Sequence, residues 1–567
     1  MRKPDSPNDC FYIKSQFIIM AIVLSVFSFV GCSRRVVESP NDNNNTWGFN
    51  NQKQEAENTY DDKNATIAEL GSFTYYSSDS FRQLVEQNII GTAESNYATN
   101  YQTTAKEQLE LLKDSKTYTI DNPLLIHNPF GTNVGGLYVF LGSPSYKINL
   151  YYKVSIEDAT VPDYYDTMYI NRTTSDIVEG QMIGLIPGYK NKVVIEIRNV
   201  DGTRINKRAY YIDVPANTIA NPMRLKIEES EHLSLARGLF SFLVQYENQS
   251  YFLFYDNKGI LRAEIPTKTK NEEAKILQTD NRIFFEYDRN QYVLLDNLGN
   301  VVDTYQWKEN SHLLDYDYDE TNNIILFLEA VGEKGHVQRV VQLDLAKKEW
   351  KETCDFKKLM PDYEKLIDAK QDILHVTKED DFFKFNSIQS ANGKDLLVCS
   401  KELSTIIRVN NIYFYPVIRW MIGEEELWKD TEYESLLLFE TQGKTVEAGI
   451  DSLTYMKNKQ LKEDQCYLAF INYNIANKHT PASESNVIKY LVDENQNRYR
   501  IVLNIPFPYH SDRCSAMVYG NHVILSLGQE KQFIEYDDKG EMMLRFTIPN
   551  INSSYRVIKY IMDRYWF

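Results

Sequence analysis

Six strand–turn–strand units recur in the second part of the chain and constrain its fold more than any other feature. Each unit is an apolar segment, a polar turn rich in Asp, Asn or Gly, and a second apolar segment, as in "YFLFYDNKGILRAEI". The units start at Tyr251, Tyr292, Val340, Ile406, Val487 and Phe533, with spacings of about 41, 48, 66, 81 and 46 residues. Strand repeats of this period are typical of β-propeller blades, since one blade cannot bury both of its faces alone. We therefore predict a six-bladed β-propeller, with insertions at blades four and five.

The rest of the sequence is expected to form further structural regions, because a chain of 567 residues is too long for a single domain with one hydrophobic core. Residues 76–116 carry apolar positions at helical spacing, as in "SFRQLVEQNII". Residues 117–220 alternate or run apolar between Gly and Asn-Lys turns, which predicts a small antiparallel, sandwich-like β domain. The propeller is assigned to residues 221–567. The expected fold class is mostly β: a six-bladed propeller preceded by a small β domain and a short helical segment.

The N-terminus has the pattern of a bacterial lipoprotein signal. Arg2, Lys3 and Lys14 precede the apolar run "FIIMAIVLSVFSFV", and the following "GC" places a small residue before Cys32. We expect residues 1–31 to be a signal peptide, Cys32 to carry lipid, and the Asn-rich residues 32–75 to form a flexible tether. The chain would then be exported and anchored to a membrane at the bacterial cell envelope. An ordinary secreted protein and an uncleaved anchor are the alternatives.

Charge and cysteine usage exclude some functions. The formal net charge of −17 argues against nucleic-acid binding through a basic surface. Four cysteines lie beyond Cys32, and neither they nor the eight histidines have a metal-binding spacing. We therefore expect no metal and no cofactor. The four cysteines are most simply small core residues, although one disulfide is possible in an exported protein.

Several ordered motifs resemble the bacterial arylsulfate sulfotransferases over roughly residues 80–567. In the small domain, "PLLIHNPFGTNVGGLYVFL" looks like the Asn-Pro-Tyr-Gly segment of that family, with Phe130 in place of the tyrosine, and "IGLIPGYKNKVVIEI" looks like its Gly-Leu-x-Pro segment. In the second domain, "FNSI" followed by "LLVCSKELSTIIRV" looks like His-x-Asn-Ser-Ile followed by Ser-Ser-Arg. The ending "SSYRVIKYIMDRYWF" is similar to the closing Tyr-Arg strand. The resemblance implies an exported propeller that moves a sulfuryl group from an aryl sulfate to a phenol.

The resemblance also implies where a catalytic site would lie, and this chain departs from it. The family uses a histidine nucleophile, helped by further histidines and an arginine. Asn386 and Ser387 match the family, but its histidine two residues before the Asn is Lys384, and its arginine is Lys401. Two weaker matches place Leu314 at another histidine and Ile450 at the nucleophile, followed by Asp451.

These replacements change the chemistry that the site can do. An isoleucine cannot carry a sulfuryl group, and a leucine can neither move a proton nor bind a sulfonate oxygen. Lysine keeps the positive charge of arginine but loses its two-pronged geometry. We therefore predict a degenerate member that binds an anionic or aromatic ligand, or an envelope protein, with Lys384, Asn386 and Lys401 as binding residues. Solvent-exposed strand lysines are the plainer alternative.

Two other functions stay open. An active sulfotransferase could use a relocated histidine, for which His510, His375 and His312 are the candidates. His510 precedes a strand of the last blade, His375 lies in "DILHV", and His312 lies two positions before Leu314. The third function is a structural lipoprotein that binds partners through its acidic rim.

Overall fold

The computed structural model describes residues 66–67, 73–142, 148–168, 177–199, 201–217, 219, 221–229, 235–308, 311–331, 336–363, 366, 384–441, 447–475, 484–549, 552–562 and 565–566. The signal peptide, Cys32 and most of the predicted tether lie outside these residues. The described part is mostly β, as predicted, with eight sheets of four or five strands. None of its helices is both long enough and apolar enough to cross a membrane.

In the described ranges, four α-helices and one short 3-10 helix, Glu434–Leu436, accompany the sheets. The α-helices are α1 (Ser78–Asn88), α2 (Thr99–Asp114), α3 (Phe356–Leu359) and α4 (Glu425–Trp428). Helix α1 begins where the Ser77 side chain accepts the Ser80 amide at 3.2 Å, an N-cap that satisfies one of the free amides of the first turn. Its Phe81 and Val85 are buried on the face that packs toward α2 and the first sheets. Both long helices lie inside the range predicted as helical.

Two sheets form the N-terminal β region. Their strands are β1 (Thr66–Ile67), β2 (Thr74–Tyr76), β3 (Leu124–His127), β4 (Leu137–Gly142), β5 (Ile148–Ser155), β6 (Tyr164–Met168), β7 (Ile177–Met182), β8 (Lys190–Asn199) and β9 (Arg204–Asp213). The strand orders are β1-β9-β8-β5-β6 and β2-β3-β4-β7. Residues of both sheets, such as Val139 and Ile195, belong to one buried cluster.

Two strands depart from the sequence prediction in this region. Strand β1 pairs with β9 and β2 pairs with β3, both in parallel. Both strands start inside residues 32–75, which were predicted as tether. Among the described residues of 117–220, the strand pairings are all antiparallel. A strand of two or three residues has too few positions to show alternation, so its partner rather than its own pattern defines it.

The second region contains strands β10 to β35. They are β10 (Lys226–Glu229), β11 (Leu239–Gln245), β12 (Ser250–Tyr255), β13 (Leu261–Thr267), β14 (Leu277–Thr279), β15 (Arg282–Asp288), β16 (Gln291–Leu295), β17 (Val301–Gln306), β18 (Ser311–Asp319), β19 (Ile324–Val331), β20 (His336–Asp344), β21 (Glu349–Asp355), β22 (Phe385–Ala391), β23 (Asp395–Ser400), β24 (Thr405–Asn410), β25 (Val417–Ile422), β26 (Phe439–Glu440), β27 (Ile450–Met456), β28 (Gln465–Asn472), β29 (Glu484–Asp493), β30 (Arg498–Pro508), β31 (Cys514–Tyr519), β32 (His522–Leu527), β33 (Gln532–Tyr536), β34 (Met542–Thr547) and β35 (Ile558–Tyr560).

These strands form six sheets of antiparallel neighbours, apart from the parallel pairing of β26 with β30. Four sheets follow chain order: β14 to β17, β18 to β21, β22 to β25, and β27 to β30 with β26 added at the edge. The other two exchange strands between the ends of the region. Strand β10 pairs with β34 of the last sheet, and β35 pairs with β11 of the first sheet. The first and last sheets therefore each hold a strand from the opposite end of the region.

Each of the six predicted strand–turn–strand units is confirmed as an antiparallel hairpin. The turn chemistry explains the repeat. Asp256 accepts the amides of Lys258 and Ile260, and Asp296 accepts those of Leu298 and Asn300, all at 2.8–3.0 Å. Such side-chain bonds stabilise a tight turn, which is why Asp recurs at the start of these turns. The turn after β24 differs, because it carries Phe414 and Tyr415, which are 92% and 77% exposed.

Candidate functional site

One cavity of about 300 Å3 lies where the six sheets of the second region meet. Its walls come from the edge strands β14, β18, β22, β27, β31 and β35, or from residues just before them, so every one of the six sheets contributes. The lining residues are Lys275 to Gln278, Asp315, Ser387, Gln389, Ser452 to Thr454, Ser515 to Met517, Arg556 to Ile558 and Tyr560. We call this space the axial cavity.

A buried carboxylate, Asp315, is the centre of an ion network at the axial cavity. It contacts the Lys275 ammonium at 2.9 Å and the Arg556 guanidinium at 2.7 Å, and it accepts the Ile388 amide at 2.9 Å. Burial alone would raise the pKa of Asp315, but Lys275 and Arg556 outweigh burial and lower that pKa to about 2. Asp315 is therefore ionised at neutral pH, and it connects segments of four sheets.

Glu273 completes the network from the segment before β14. It accepts a hydrogen bond from Arg556 at 2.7 Å and another from the Tyr555 hydroxyl. The two terminal nitrogens of Arg556 thus each face a carboxylate, Asp315 on one side and Glu273 on the other. Because two cations meet two carboxylates, the network has no net charge.

A second carboxyl, Asp451, lies at the start of β27 and has a perturbed pKa. It accepts the Ser452 amide at 2.7 Å and the Tyr473 hydroxyl at 3.3 Å. Burial raises the pKa of Asp451 to about 7, and the negative charge of Glu273 adds to the rise, while Arg556 and Lys401 oppose it. Near neutral pH this carboxyl carries a proton for part of the time, so it can donate or accept one.

The two lysines predicted as ligand-binding residues lie together at one end of a hairpin. Lys384 directly precedes β22 and Lys401 directly follows β23, and Phe385 pairs with Ser400 between them. Both lysines are half-buried, and neither is among the residues that line the axial cavity. The Lys401 ammonium lies 5.0 Å from the centre of the Tyr473 ring, a cation–π distance. Lys384 has a φ of 40°, in the left-handed region that few side chains adopt.

The other two family positions have structural contacts rather than exposed functional groups. Ile450, which was predicted to stand at the position of the nucleophile, is 0% exposed and packs in a hydrophobic cluster. Its carbonyl accepts the Asn386 side-chain amide at 2.9 Å, and the Asn386 oxygen lies 3.0 Å from the Cys399 sulfur. Asn386 therefore connects two sheets. Leu314 is half-buried against a neighbouring hydrophobic cluster.

The described fallback histidines bind protein groups away from the axial cavity. His510 is 4% exposed, and its ring nitrogens lie 2.6 Å from the Pro508 carbonyl and 2.7 Å from Glu530. His312 is exposed, and its ring lies 2.9 Å from the Arg289 guanidinium. His375 lies outside the described residues. Within the part of the chain that the structure describes, no histidine lines the axial cavity, and no cluster of His, Cys, Asp and Glu could hold a metal ion.

Sequence reasoning missed most of the ion network. Arg556 stands in "SSYRV", which was used only to support the resemblance, and Asp315 directly follows Leu314. Glu273 and Lys275 lie in the polar stretch "NEEAKIL", which has no motif that would single them out. The pairing of Asp315 with Arg556 spans 241 residues, so no local pattern could reveal it.

Comparisons with known proteins identify the family of the chain, but not a function. No curated protein matches the chain. Solved structures with some similarity include a putative 6-phosphogluconolactonase from Bacteroides fragilis (10% identity, 73% of this chain, 98% of that chain, TM-score 0.33). A streptogramin B lyase has 11% identity over 59% of this chain and 90% of that chain, with a TM-score of 0.30. TolB from Acinetobacter baumannii has 10% identity over 66% of this chain and 80% of that chain, with a TM-score of 0.29. Likeness at this level does not indicate function.

The family comparison is more specific. The sequence profile described as Arylsulfotransferase (ASST) matches residues 220–554, which is more than half of the chain. These residues hold five of the six edge strands around the axial cavity and most of its charged groups. The resemblance drawn from the motifs is thereby confirmed, and the chain belongs to the arylsulfotransferase family.

Proposed function

We propose that the chain is a cell-envelope lipoprotein in which the arylsulfotransferase site has lost sulfuryl transfer through histidine and keeps a binding role. Its six sheets are proposed to form a closed six-bladed propeller. Two features support closure: every sheet reaches the axial cavity, and the first and last sheets exchange strands. The ligand is an anionic or aromatic molecule, or an envelope protein, held in the funnel around the axial cavity.

The observation that carries this proposal is the absence of a histidine from the axial cavity among the described residues. In its place the cavity holds Arg556 and Lys275, each paired with a carboxylate. Ile450, at the proposed nucleophile position, is fully buried, and its carbonyl accepts the Asn386 amide. Loss of a nucleophile removes many orders of magnitude of rate when catalytic groups act as a unit.

Turnover of 4-nitrophenyl sulfate tests the loss of chemistry. We expect no release of 4-nitrophenol above background with phenol as acceptor, and no mass increase of the intact protein after incubation with the donor. Turnover together with a covalent sulfo-enzyme would contradict the proposal. It would support the alternative function, an active arylsulfate sulfotransferase.

A small set of variants would assign such an activity to a residue. His375→Gln is the decisive one, since its position is not described and its sequence context resembles the family motif. His510→Gln and His312→Gln are matched controls, because their rings contact Glu530 and Arg289 rather than the axial cavity. Loss of activity in His375→Gln alone would establish a relocated nucleophile.

The membrane anchor has a separate test. In a bacterial host fed with labelled palmitate, we expect the label in the full chain and its loss in Cys32→Ala. Unlabelled full chain would contradict lipidation while leaving the ligand-binding proposal untouched.

A further inference from the structure

The charge balance of the axial cavity restricts its ligand, and this inference rests on the proposed binding function. We propose that the axial cavity takes an uncharged molecule with an apolar body and one or two hydrogen-bonding groups, rather than a free anion. The inference narrows the choice between anionic and aromatic ligands at this site.

The first argument is that the cations of the cavity are already neutralised. Arg556 is 9% exposed and contacts both Asp315 and Glu273 at 2.7 Å, while Lys275 contacts Asp315 at 2.9 Å. An incoming anion would lie beside Asp315 and Glu273 as well as beside the two cations, so the network as a whole would not attract it. Burial of the anion would still cost free energy, because a buried charge loses its hydration.

The second argument concerns the uncharged polar groups of the lining, most of which already bind the protein. The Ser515 hydroxyl donates to the Tyr555 carbonyl at 3.3 Å, and the Ser387 hydroxyl donates to the Leu453 carbonyl at 3.5 Å. The Gln389 amide donates to the Ile388 carbonyl at 2.9 Å and accepts the Tyr455 amide at 3.1 Å.

Two further uncharged polar residues of the lining, Ser452 and Thr454, come from the same strand, β27. They are neutral groups that can each donate and accept a hydrogen bond. They suit a carbonyl, an amide or a hydroxyl of a ligand better than a full negative charge. A ligand can therefore gain one or two hydrogen bonds here.

The third argument is that the rest of the wall is apolar. Four apolar residues, Leu277, Leu453, Met517 and Val557, are among the lining residues, and they come from four different sheets or from the segment just before a strand. Burial of an apolar ligand body against such side chains is favourable in proportion to the area removed from water. The unbranched Met517 can also adjust to the ligand shape. Small ligand sites commonly combine such apolar walls with a few polar groups.

A matched pair of compounds tests this inference. Benzamide and benzoate have the same ring and nearly the same shape, but only benzoate is negatively charged. By calorimetric titration of the full chain at neutral pH, we expect benzamide to bind at least about tenfold more tightly than benzoate, because the ion network excludes the carboxylate. The same titration with 4-nitrophenyl sulfate measures binding of a charged aromatic sulfate.

Two variants locate the binding. Ala516→Leu adds volume to the cavity wall and should abolish benzamide binding, whereas Ala346→Leu, on the exposed turn between β20 and β21, should not change it. If Ala516→Leu does not fold, as judged by circular dichroism, Thr454→Ala replaces it. That variant removes a lining hydroxyl without adding volume, and it should weaken benzamide binding several-fold.

The outcomes separate the two proposals. Benzoate binding as tight as benzamide binding would overturn this inference and leave the proposed function standing. Binding of 4-nitrophenyl sulfate without binding of benzamide would likewise overturn this inference and leave the proposed function standing. Benzamide binding that neither Ala516→Leu nor Thr454→Ala affects would also overturn the inference. If none of the three compounds binds, both the inference and a small-molecule role for the funnel are contradicted.

Discussion

Two pairs of cationic side chains in the second region of the chain have different surroundings. Lys384 and Lys401 are half-buried at the ends of β22 and β23, and Lys401 lies over the Tyr473 ring. Arg556 is buried, Lys275 is half-buried, and both contact Asp315. The first pair stands where the family resemblance places a histidine and an arginine. The second pair was not predicted, and it is the one that lines the axial cavity. A family position therefore indicates where a charge lies along the chain, but its partners decide whether that charge is available to a ligand.

The largest expected effect comes from breaking the Asp315 network. Asp315→Asn leaves Arg556 and Lys275 with one carboxylate fewer in a buried site, and we expect a loss of about 3–5 kcal/mol in the free energy of unfolding. Denaturant unfolding measures it.

A matched control comes from an exposed pair. Glu426→Gln removes one partner of an exposed pair with Lys429 at 4.0 Å, and it should cost less than about 0.5 kcal/mol. The double variant Asp315→Asn with Lys275→Met should be more stable than the sum of the single effects, since it restores neutrality. Equal losses for Asp315→Asn and Glu426→Gln would show that the network does not stabilise the fold.

The second prediction concerns Asp451, whose pKa is raised to about 7. Between pH 5 and 7 the folded chain holds a proton on this carboxyl that the unfolded chain has lost, so stability falls as pH rises through this window. We expect the free energy of unfolding to fall by about 1–2 kcal/mol across the window. A fully buried carboxyl would produce a larger fall, but the Asp451 side chain is partly exposed. Urea unfolding at several pH values should show this slope in the wild type and its reduction in Asp451→Asn. An unchanged slope in the variant would assign the pH dependence to other groups.

The third prediction concerns Asn386, which was predicted to bind ligand and which connects two sheets in the structure. Asn386→Ala removes its hydrogen bond to the Ile450 carbonyl, and we expect a loss of about 1 kcal/mol in the free energy of unfolding. Asn88→Ala is the control, since that side chain bonds only the Leu84 carbonyl on an exposed helix end. If Asn386→Ala leaves stability unchanged but weakens ligand binding, the original interpretation of Asn386 as a binding residue is supported.

The smallest effect is expected at Lys401. Lys401→Met keeps most of the side-chain volume and removes the cation over Tyr473. We therefore expect the free energy of unfolding to fall by about 0.5 kcal/mol. Thermal unfolding is sensitive enough to measure it. A loss as large as that of Asp315→Asn would mean that Lys401 stabilises the fold as strongly as the ion pairs of Asp315 do.

Much of the fold could be predicted from local sequence. All six hairpins were predicted because their turns use Asp, Asn and Gly between apolar segments. These residues stabilise a turn through contacts within four or five consecutive positions, so a short stretch of sequence is enough to reveal it. The short parallel strands β1 and β2 were not found, because two or three residues carry no periodic pattern. Lys384, Lys401 and Asp451 were singled out by motif, whereas Glu273 and Lys275 of the ion network were not.

The sequence by itself determined the family, the β-rich class and the hairpin positions, and it predicted that Lys384, Leu314 and Ile450 stand in place of family histidines. Each of these depends on residue types at short spacing or in ordered motifs. Only the tertiary structure decided that Arg556 meets Asp315, that Ile450 is buried, and that His510 binds Glu530. The physical reason is distance along the chain: the groups that set the charge and burial of this site come from different sheets, and only packing brings them together.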